Sequence, residues 1–322
     1  MMKPVFTMLV GIPGSGKTFY AENMGSGAII HSSDKLRFEL YGDENDQEHN
    51  EELFIELHRR IREDLKNGND VVYDATNVNK KRRAAFLREL KNIECYKKCI
   101  MVMTPYEKCL ENNKKRGRHI PEEVIWKMYM NWQPAHVSEG WDEVGIHMYS
   151  EFLDDADIYT VRTLFDGDCG IDNFDQENKH HTLTLGMHCR NTSDFIMSQG
   201  HDRNISLAGL LHDIGKIETK SHINSKGEYD EDCHYYQHHC ISAYKSIFYL
   251  FGYVSENRSL ISRMSYLTIS DVIYISNLIY YHMHPYMSWA QSEKAMQRDK
   301  ELLGERMFED IMLLHKADVA AH

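Results

Sequence analysis

The sequence predicts two domains of different class: an α/β domain with a parallel sheet flanked by helices, then an all-α helical domain. Three observations carry this expectation. Short β-rich runs alternate with helical stretches up to about residue 165. A glycine-rich phosphate loop follows the first of those runs at once. From His180 onward apolar residues recur at spacings of three and four, and histidines become frequent. A chain of 322 residues exceeds what one hydrophobic core usually organises, and 42% hydrophobic residues suffice for two cores.

In order along the chain, VFTMLV, GAII, DVVY and CIMVMT are the predicted strands, with IYTVRTL expected to close the sheet. The apolar run Pro4–Ile12 is too short to cross a bilayer and reads as a first strand, not a signal peptide. No later segment sustains the roughly 18 apolar residues of a membrane helix, so the expectation is a soluble protein with no membrane partner. Composition turns acidic between Asp154 and Glu177. The expected division is residues 1–165, an acidic linker at 166–179, and a helical domain at 180–322. The helices of that domain include SLAGLLHD, CISAYKSIFYLF, SDVIYISNLIYYH and MFEDIMLLHKADVAAH. Seven cysteines lie scattered with no CxxC pair, which suits a reducing, cytoplasmic setting and no disulfide framework. The net charge of -12 excludes a wholesale electrostatic grip on nucleic acid, so any such grip must be local.

GIPGSGKT, with Gly11, Gly14, Ser15, Gly16, Lys17 and Thr18, fits the phosphate-loop pattern between a strand and a helix. Its backbone N–H groups can surround phosphate oxygens, Lys17 can reach the β- and γ-phosphates of ATP, and Thr18 can ligate Mg²⁺. In HSSDKLRFEL, Asp34 can accept the proton of an attacking hydroxyl, and Arg37, one turn later, can hold a phosphate. The alternative is that Ser33 or Asp34 merely caps the helix KLRFELY. DVVYDATN sets Asp74, Thr76 and Asn77 at the sheet edge where ligands bind; Asp74 can bind Mg²⁺ through water or orient an acceptor, and a polar turn is the competing reading. Arg116 and Arg118 flank a glycine ahead of the helix IPEEVIWKMY and can close over ATP as a lid, or form a solvated charge run.

Taken together these segments resemble the polynucleotide 5′-kinase family, in which a P-loop, S-x-D-x-x-R, D-x-T-N and an Arg-rich lid occur in this order across nearly all of residues 1–165. The resemblance implies ATP and Mg²⁺ at Lys17 and Thr18, Asp34 as general base, Arg37 on the acceptor phosphate, and Arg116 and Arg118 in the lid.

Of the 19 histidines, most lie in the second half. A metal inside a helical bundle needs ligands on core-facing stripes. Asp318 lines up with Ile311 and Leu314, and His282 with Ile275, Leu278 and Ile279. His238 falls with Ile241, Tyr244 and Phe248, and His188 with Thr192 and Phe195. His212-Asp213 ends the apolar stretch SLAGLL, whereas His201-Asp202 sits in a polar turn; His239 is the less favoured choice beside His238, and His284 points elsewhere if the helix persists before Pro285. Each position alone is commonly a satisfied core histidine. The set His188, His212, Asp213, His238, His282 and Asp318 resembles the HD phosphohydrolase superfamily, with its order H…HD…H…H…D. That resemblance implies two divalent metals: one held by His188, His212, Asp213 and Asp318, the other by His238 and His282 with Asp213 bridging. Mixed nitrogen and oxygen ligands suit Mn²⁺ or another transition metal. Lys216 can contact a substrate phosphate or simply be solvated.

The chain looks like fusions of an HD domain with a polynucleotide kinase, here with the kinase first. The likeness implies an end-healing enzyme for RNA or DNA, with ATP-dependent phosphorylation of 5′-hydroxyl ends and metal-dependent removal of a 2′,3′-cyclic phosphate or 3′-phosphate. A nucleic-acid ligase would act downstream, and self-association into a homo-oligomer is left open. Two other readings remain: a nucleoside or small-nucleotide kinase fused to a nucleotide phosphohydrolase, and an ATP-switched binding module with a structural metal.

Overall fold

The computed structural model describes residues 3–25, 27–46, 48–115, 119–149, 161–166, 170–179, 182–257 and 267–321. The chain divides into two compact units: Met1–Met128 with Ala135–Tyr149, and Tyr129–Pro134 with Ser150–His322. Among the described residues no helix is long and apolar enough to cross a membrane.

The first unit is built on strands β1 (Val5–Val10), β2 (Ile29–Ser32), β3 (Val71–Asp74), β4 (Tyr96–Met103) and β5 (Glu143–Met148). They form one sheet in the order β2-β3-β1-β4-β5, every pairing parallel. β1 is central and buried from Phe6 to Val10, as expected of an apolar run covered on both faces. Its flanking helices are α1 (Lys17–Asn23), α2 (Ser33–Tyr41), α3 (Asn50–Lys66), α4 (Lys80–Glu89), α5 (Tyr106–Lys115) and α6 (Glu122–Met130). On α3 the buried residues Leu53, Leu57, Ile61 and Leu65 recur every fourth position, the stripe that packs an amphipathic helix on a core.

One strand was expected in the wrong place. The sheet is closed by EVGIHM, which pairs with β4 from Lys98–Glu143 to Met103–Met148. Every residue of this edge strand is half-buried, and it mixes Glu and His with apolar residues, so it lacks the apolar run that marks the central strands. Within IYTVRTL, Val161–Leu164 lie instead in a short helix, α7 (Val161–Asp166), that buries Leu164 and Phe165; residues 158–160 lie outside the described residues. Its β-branched residues favour a strand, and packing overrides that preference.

In the second unit α8 (Leu185–Ser198), α9 (Arg203–Leu211), α10 (Lys216–Thr219), α11 (His238–Asn257), α12 (Ile269–Tyr281), α13 (Ser288–Gln291), α14 (Glu293–Leu303) and α15 (Glu305–Ala320) follow one another. α8 packs on α9 and α15, and α11 on α12. A capping box at Thr268 and Asp271 starts α12. Tyr244 on α11 receives Tyr129 and Trp132 edge-on, at ring distances of 5.0 and 5.1 Å. The all-α expectation holds except for one antiparallel hairpin, β6 (Lys220–Ile223) with β7 (Tyr229–Tyr235). Residues 170–179, within the acidic segment, fold onto this unit: Gln176 is fully buried and Cys233 N–H donates to the Glu177 carbonyl.

Arg83, from the basic run after β3, is not a surface charge. Its guanidinium donates to both oxygens of Glu139 at 2.8 and 2.7 Å, both side chains being fully buried. It also donates to the carbonyls of Asn77 and Val78, while the Trp141 indole N–H adds a bond to Glu139. A buried pair is lost asymmetrically, because removing one partner strands the other. Glu139→Gln is therefore expected to destabilise the first unit by about 3–5 kcal/mol in chemical denaturation followed by tryptophan fluorescence, and a change within experimental noise would contradict this role.

Candidate functional site

The phosphate loop runs from the end of β1 into α1. Gly14, at φ 85°, lies so close to α5 that a Cβ there would stand 2.2 Å from the Cys109 carbonyl oxygen. Only glycine meets both demands. Three successive carbonyls of the loop are taken from outside it: Gly14 by Asn112 Nδ2, Ser15 by Thr104 Oγ1 and Gly16 by Tyr149 Oη, at 3.0, 3.1 and 2.7 Å. In a trans peptide the N–H points opposite the carbonyl. The Ser15 and Gly16 carbonyl contacts therefore turn the Gly16 and Lys17 N–H groups to the other side, as an anion cradle requires, while Ser15 N–H donates within the loop to the Ile12 carbonyl at 3.2 Å. Lys17 Nζ donates to the Ile12 carbonyl at 2.9 Å, and Gly11 N–H donates to the Thr76 carbonyl at 3.0 Å.

A cavity of about 600 Å³ joins this loop to the ends of β2 and β3. Lys17, Thr18, Asp34, Arg37, Asp74 and Asn77 all line it. Thr18 Oγ1 donates to Asp74 Oδ2 at 2.7 Å, so Asp74 stands beside the hydroxyl expected to hold Mg²⁺. Asn77, at φ 46°, braces the loop by donating to the Leu9 carbonyl. At the other end Asp34 accepts from Arg37 at 3.1 Å, and Arg37, itself buried, also donates to Asn50 Oδ1 at 3.0 Å. The cap of α2 is Ser32, with no side-chain bond, so neither Ser33 nor Asp34 serves as the helix cap. Arg116 and Arg118 lie outside the described residues.

The second constellation sits where five helices converge. His188 comes from α8, His212 caps α9, His238 opens α11, His282 caps α12 and Asp318 lies on α15. All are buried, as is Asp213. The Asp213 carboxylate faces two ways. Its Oδ2 lies 3.6 Å from His188 Nε2 and 3.4 Å from His212 Nε2, with Asp318 Oδ1 at 3.0 and 3.5 Å from the same nitrogens. Its Oδ1 lies 3.1 Å from His238 Nε2 and 3.5 Å from His282 Nε2.

Tautomers follow from the outer bonds. Nδ1 of His212, His238 and His282 each contacts a backbone carbonyl, of Gly209, Tyr235 and Ile279, at 2.7, 2.7 and 2.6 Å. A carbonyl only accepts, so each Nδ1 carries a proton, and once Nε2 has given up any proton of its own each ring turns that nitrogen's lone pair inward. The His238 and His282 Nε2 atoms are 3.3 Å apart, two lone pairs that face one another unless a cation or a proton lies between them. Donor separations of 3.0–3.6 Å match the edges of a coordination shell with bonds of about 2.1 Å. The donor set fits two divalent ions that share Asp213.

Burial pushes the Asp213 carboxyl up, but His212, Lys216, His238 and His282 outweigh it and hold it well below the usual carboxylate range. Burial opposes ionisation of Asp318 too, yet the bonds from His188 and His212 bring it below that range. Burial lowers His212, and Asp213 and Asp318 more than compensate, so it is raised; in His282 burial dominates and it is lowered. Lys216 is buried, not solvated, with Nζ 2.7 Å from Asp213 Oδ2 and 2.8 Å from Gln176 Oε1.

Two neighbours carry no sequence signal. Gln176 comes from the acidic segment, which has no periodicity, and Tyr286, whose hydroxyl donates to Asp318 Oδ2 at 2.9 Å, follows a proline outside any stripe. The other His-Asp pair does a local job, since Asp202 accepts from Asn204 N–H and caps α9.

Residues 6–135 match the family model of an AAA domain, and residues 185–319 match that of an HD domain. The chain joins an AAA-type P-loop domain to an HD domain. Among solved structures, the Pnkp1/Rnl/Hen1 RNA repair complex is similar at 21% identity and a TM-score of 0.35, covering 41% of this chain and 44% of that one. A second structure of a Pnkp1/Rnl/Hen1 complex matches at 20% identity and a TM-score of 0.31, over 38% and 42%. A gluconokinase from Sinorhizobium meliloti matches at 15% identity and a TM-score of 0.32, over 45% and 84%. This chain thus spans less than half the length of the first two. No curated protein matches it.

Because the HD-domain His212 is raised, a metal ion must displace a proton that Asp213 and Asp318 help to hold. That proton is retained up to and beyond the ordinary histidine value of about 6.5. Divalent-ion affinity of the HD domain should consequently rise with pH through and above that value; equilibrium dialysis across the range would show it, and a flat profile would contradict the assignment.

Proposed function

We propose that this protein is a bifunctional nucleic-acid end-healing enzyme, with an ATP-dependent 5′-hydroxyl polynucleotide kinase in the AAA domain and a 2′,3′-cyclic phosphodiesterase or 3′-phosphatase in the HD domain. The observation that carries the kinase half is that the phosphate loop and the Asp34–Arg37 pair line one cavity, which thereby offers a donor end and an acceptor end. Loop N–H groups and Lys17 hold the triphosphate, and Thr18 with Asp74 holds its Mg²⁺. Asp34 takes the proton of the acceptor hydroxyl, and Arg37 grips the phosphate next along the strand. Phe54, His58, Tyr73 and Phe86 line the same cavity and offer aromatic faces to the terminal base.

In the HD domain His188, His212, Asp213 and Asp318 would hold one divalent ion and His238 and His282 the other, with Asp213 between them. Such ions, when bound, would supply a hydroxide near neutral pH and stabilise the attacking and leaving oxygens of a phosphoester. The protein's own part is to fix three imidazole tautomers through backbone carbonyls and to orient Asp213 through Lys216. RNA is the favoured polymer because many ribonucleases leave a 5′-hydroxyl and a 2′,3′-cyclic phosphate, the two ends these chemistries would prepare for a ligase.

The two activities should separate by mutation. Lys17→Ala or Asp34→Ala is expected to lower phosphate transfer from ATP to a 5′-hydroxyl oligonucleotide by roughly 10²-fold or more while hydrolysis at the other end continues. Asp213→Ala should do the reverse, and loss of both activities in a folded variant would refute two sites. The aromatic wall would also seat a free nucleoside, so acceptor preference decides the substrate class. Oligonucleotides should be phosphorylated well ahead of nucleosides, and exclusive use of nucleosides would replace the end-healing reading by nucleotide metabolism.

A further inference from the structure

A third cluster of ligand-type side chains lies apart from the six HD residues, where the hairpin meets the segment 170–179. Glu177, His222 and Cys233 bring a carboxylate, an imidazole and a thiol within 4.8 Å of one another. Cys233 is fully buried, while His222 and Glu177 reach solvent. His222 occupies the irregularity between Ser221 and Ile223 in the pairing of β6 with β7, a place where a strand re-aims a side chain. Its Nδ1 donates to the Asp230 carbonyl at 3.1 Å, which leaves the Nε2 lone pair directed at the other two groups. That Nε2 lies 3.3 Å from Glu177 Oε2 and 3.4 Å from Cys233 Sγ, and the sulfur lies 3.8 Å from the same carboxylate oxygen.

Those three separations have a simple geometric meaning. A tetrahedral zinc ion with ordinary bond lengths sets sulfur and nitrogen about 3.5 Å apart, nitrogen and oxygen about 3.3 Å, and sulfur and oxygen about 3.5 Å. The observed triangle departs from this by a few tenths of an ångström. The other oxygen, Glu177 Oε1, accepts from Lys220 Nζ at 2.8 Å, so the carboxylate is oriented without its Oε2 being used by that lysine. Backbone bonds hold the frame. Cys233 N–H donates to the Glu177 carbonyl at 2.9 Å, and Asn178 Nδ2 donates to the Cys233 carbonyl at 2.9 Å.

We propose that Glu177, His222 and Cys233 form a separate structural site for a borderline-soft divalent ion, Zn²⁺, with the fourth position open to water. On binding, the Cys233 thiol proton leaves to solvent and its sulfur bonds the ion; no electron transfer is involved. The site ties the hairpin to the segment 170–179 that carries Gln176, which in turn holds Lys216 against Asp213. Its ligands differ in kind from the HD centre, which has no sulfur, and this permits a clean test independent of the reaction assigned above.

The full-length chain loaded with Co²⁺ should show a thiolate-to-metal charge-transfer band in the near ultraviolet, and zinc-edge absorption of the Zn²⁺ form should show a sulfur neighbour at about 2.3 Å. Cys233→Ser should abolish the band and lower bound zinc by one equivalent, and Asp213→Asn should leave the band in place. If Cys233→Ser does not fold, His222→Gln serves, with zinc affinity at this site reduced at least tenfold and the band diminished. A wild-type protein with neither the band nor a sulfur neighbour, or a band that survives both Cys233→Ser and His222→Gln, overturns the proposal.

Discussion

A carboxylate taken out of water is tolerated only where cations and hydrogen-bond donors replace its hydration. Asp213 meets that condition with both oxygens at once, one turned to His188, His212 and Lys216, the other to His238 and His282. The groups that satisfy it come from helices widely separated in sequence, so holding this one side chain fixes how α8, α9, α11 and α12 converge. Gly215 shows how tight that convergence is: a Cβ there would lie 2.4 Å from the His238 carbonyl oxygen and 2.7 Å from the Ser242 nitrogen. The buried His/Asp cluster and the packing of the bundle are therefore one arrangement, and neither can be altered without the other.

The AAA domain solves an analogous problem with neutral groups. Its loop has to be held in one shape to meet an anion, and Asn112, Thr104 and Tyr149 hold it by taking three successive carbonyls. Those three residues follow the loop by long stretches of chain, on or beyond β4, so the loop acquires its shape only in the assembled sheet. The same sheet sets Asp74 against Thr18. Parallel neighbours β3 and β1 end at one edge, and this brings residues distant in sequence to the ends of one cavity.

Legibility in the sequence followed the physics of each signal. Central strands of a parallel sheet are apolar runs, and four of the five were readable as such; β5 is a half-buried edge strand with mixed polarity and was not. Of the six HD-domain residues that the fold brings together, helical periodicity sets His188, His238, His282 and Asp318 on buried stripes, while His212-Asp213 end an apolar stretch. Gln176 and Tyr286 touch that centre from irregular segments, where no period exists to betray them. Arg83 shows the limit of composition: it stands in a run of Lys and Arg after a strand, yet it is buried and spent on Glu139 and on the Asn77 and Val78 carbonyls. Charge counted along a chain says nothing of which charges are already neutralised.

The path of the chain through the two units has a consequence for how the protein comes to be folded. Tyr129–Pro134 count with the helical unit, after which the chain returns to the sheet for β5 and leaves again at Ser150. Trp132 and Tyr129 find cover on Tyr244 of α11, which is synthesised long after them. During translation, then, two large aromatic side chains wait for the ring that covers them. Because the chain passes from one unit to the other and back, no single cut divides it into two pieces that each hold one whole unit.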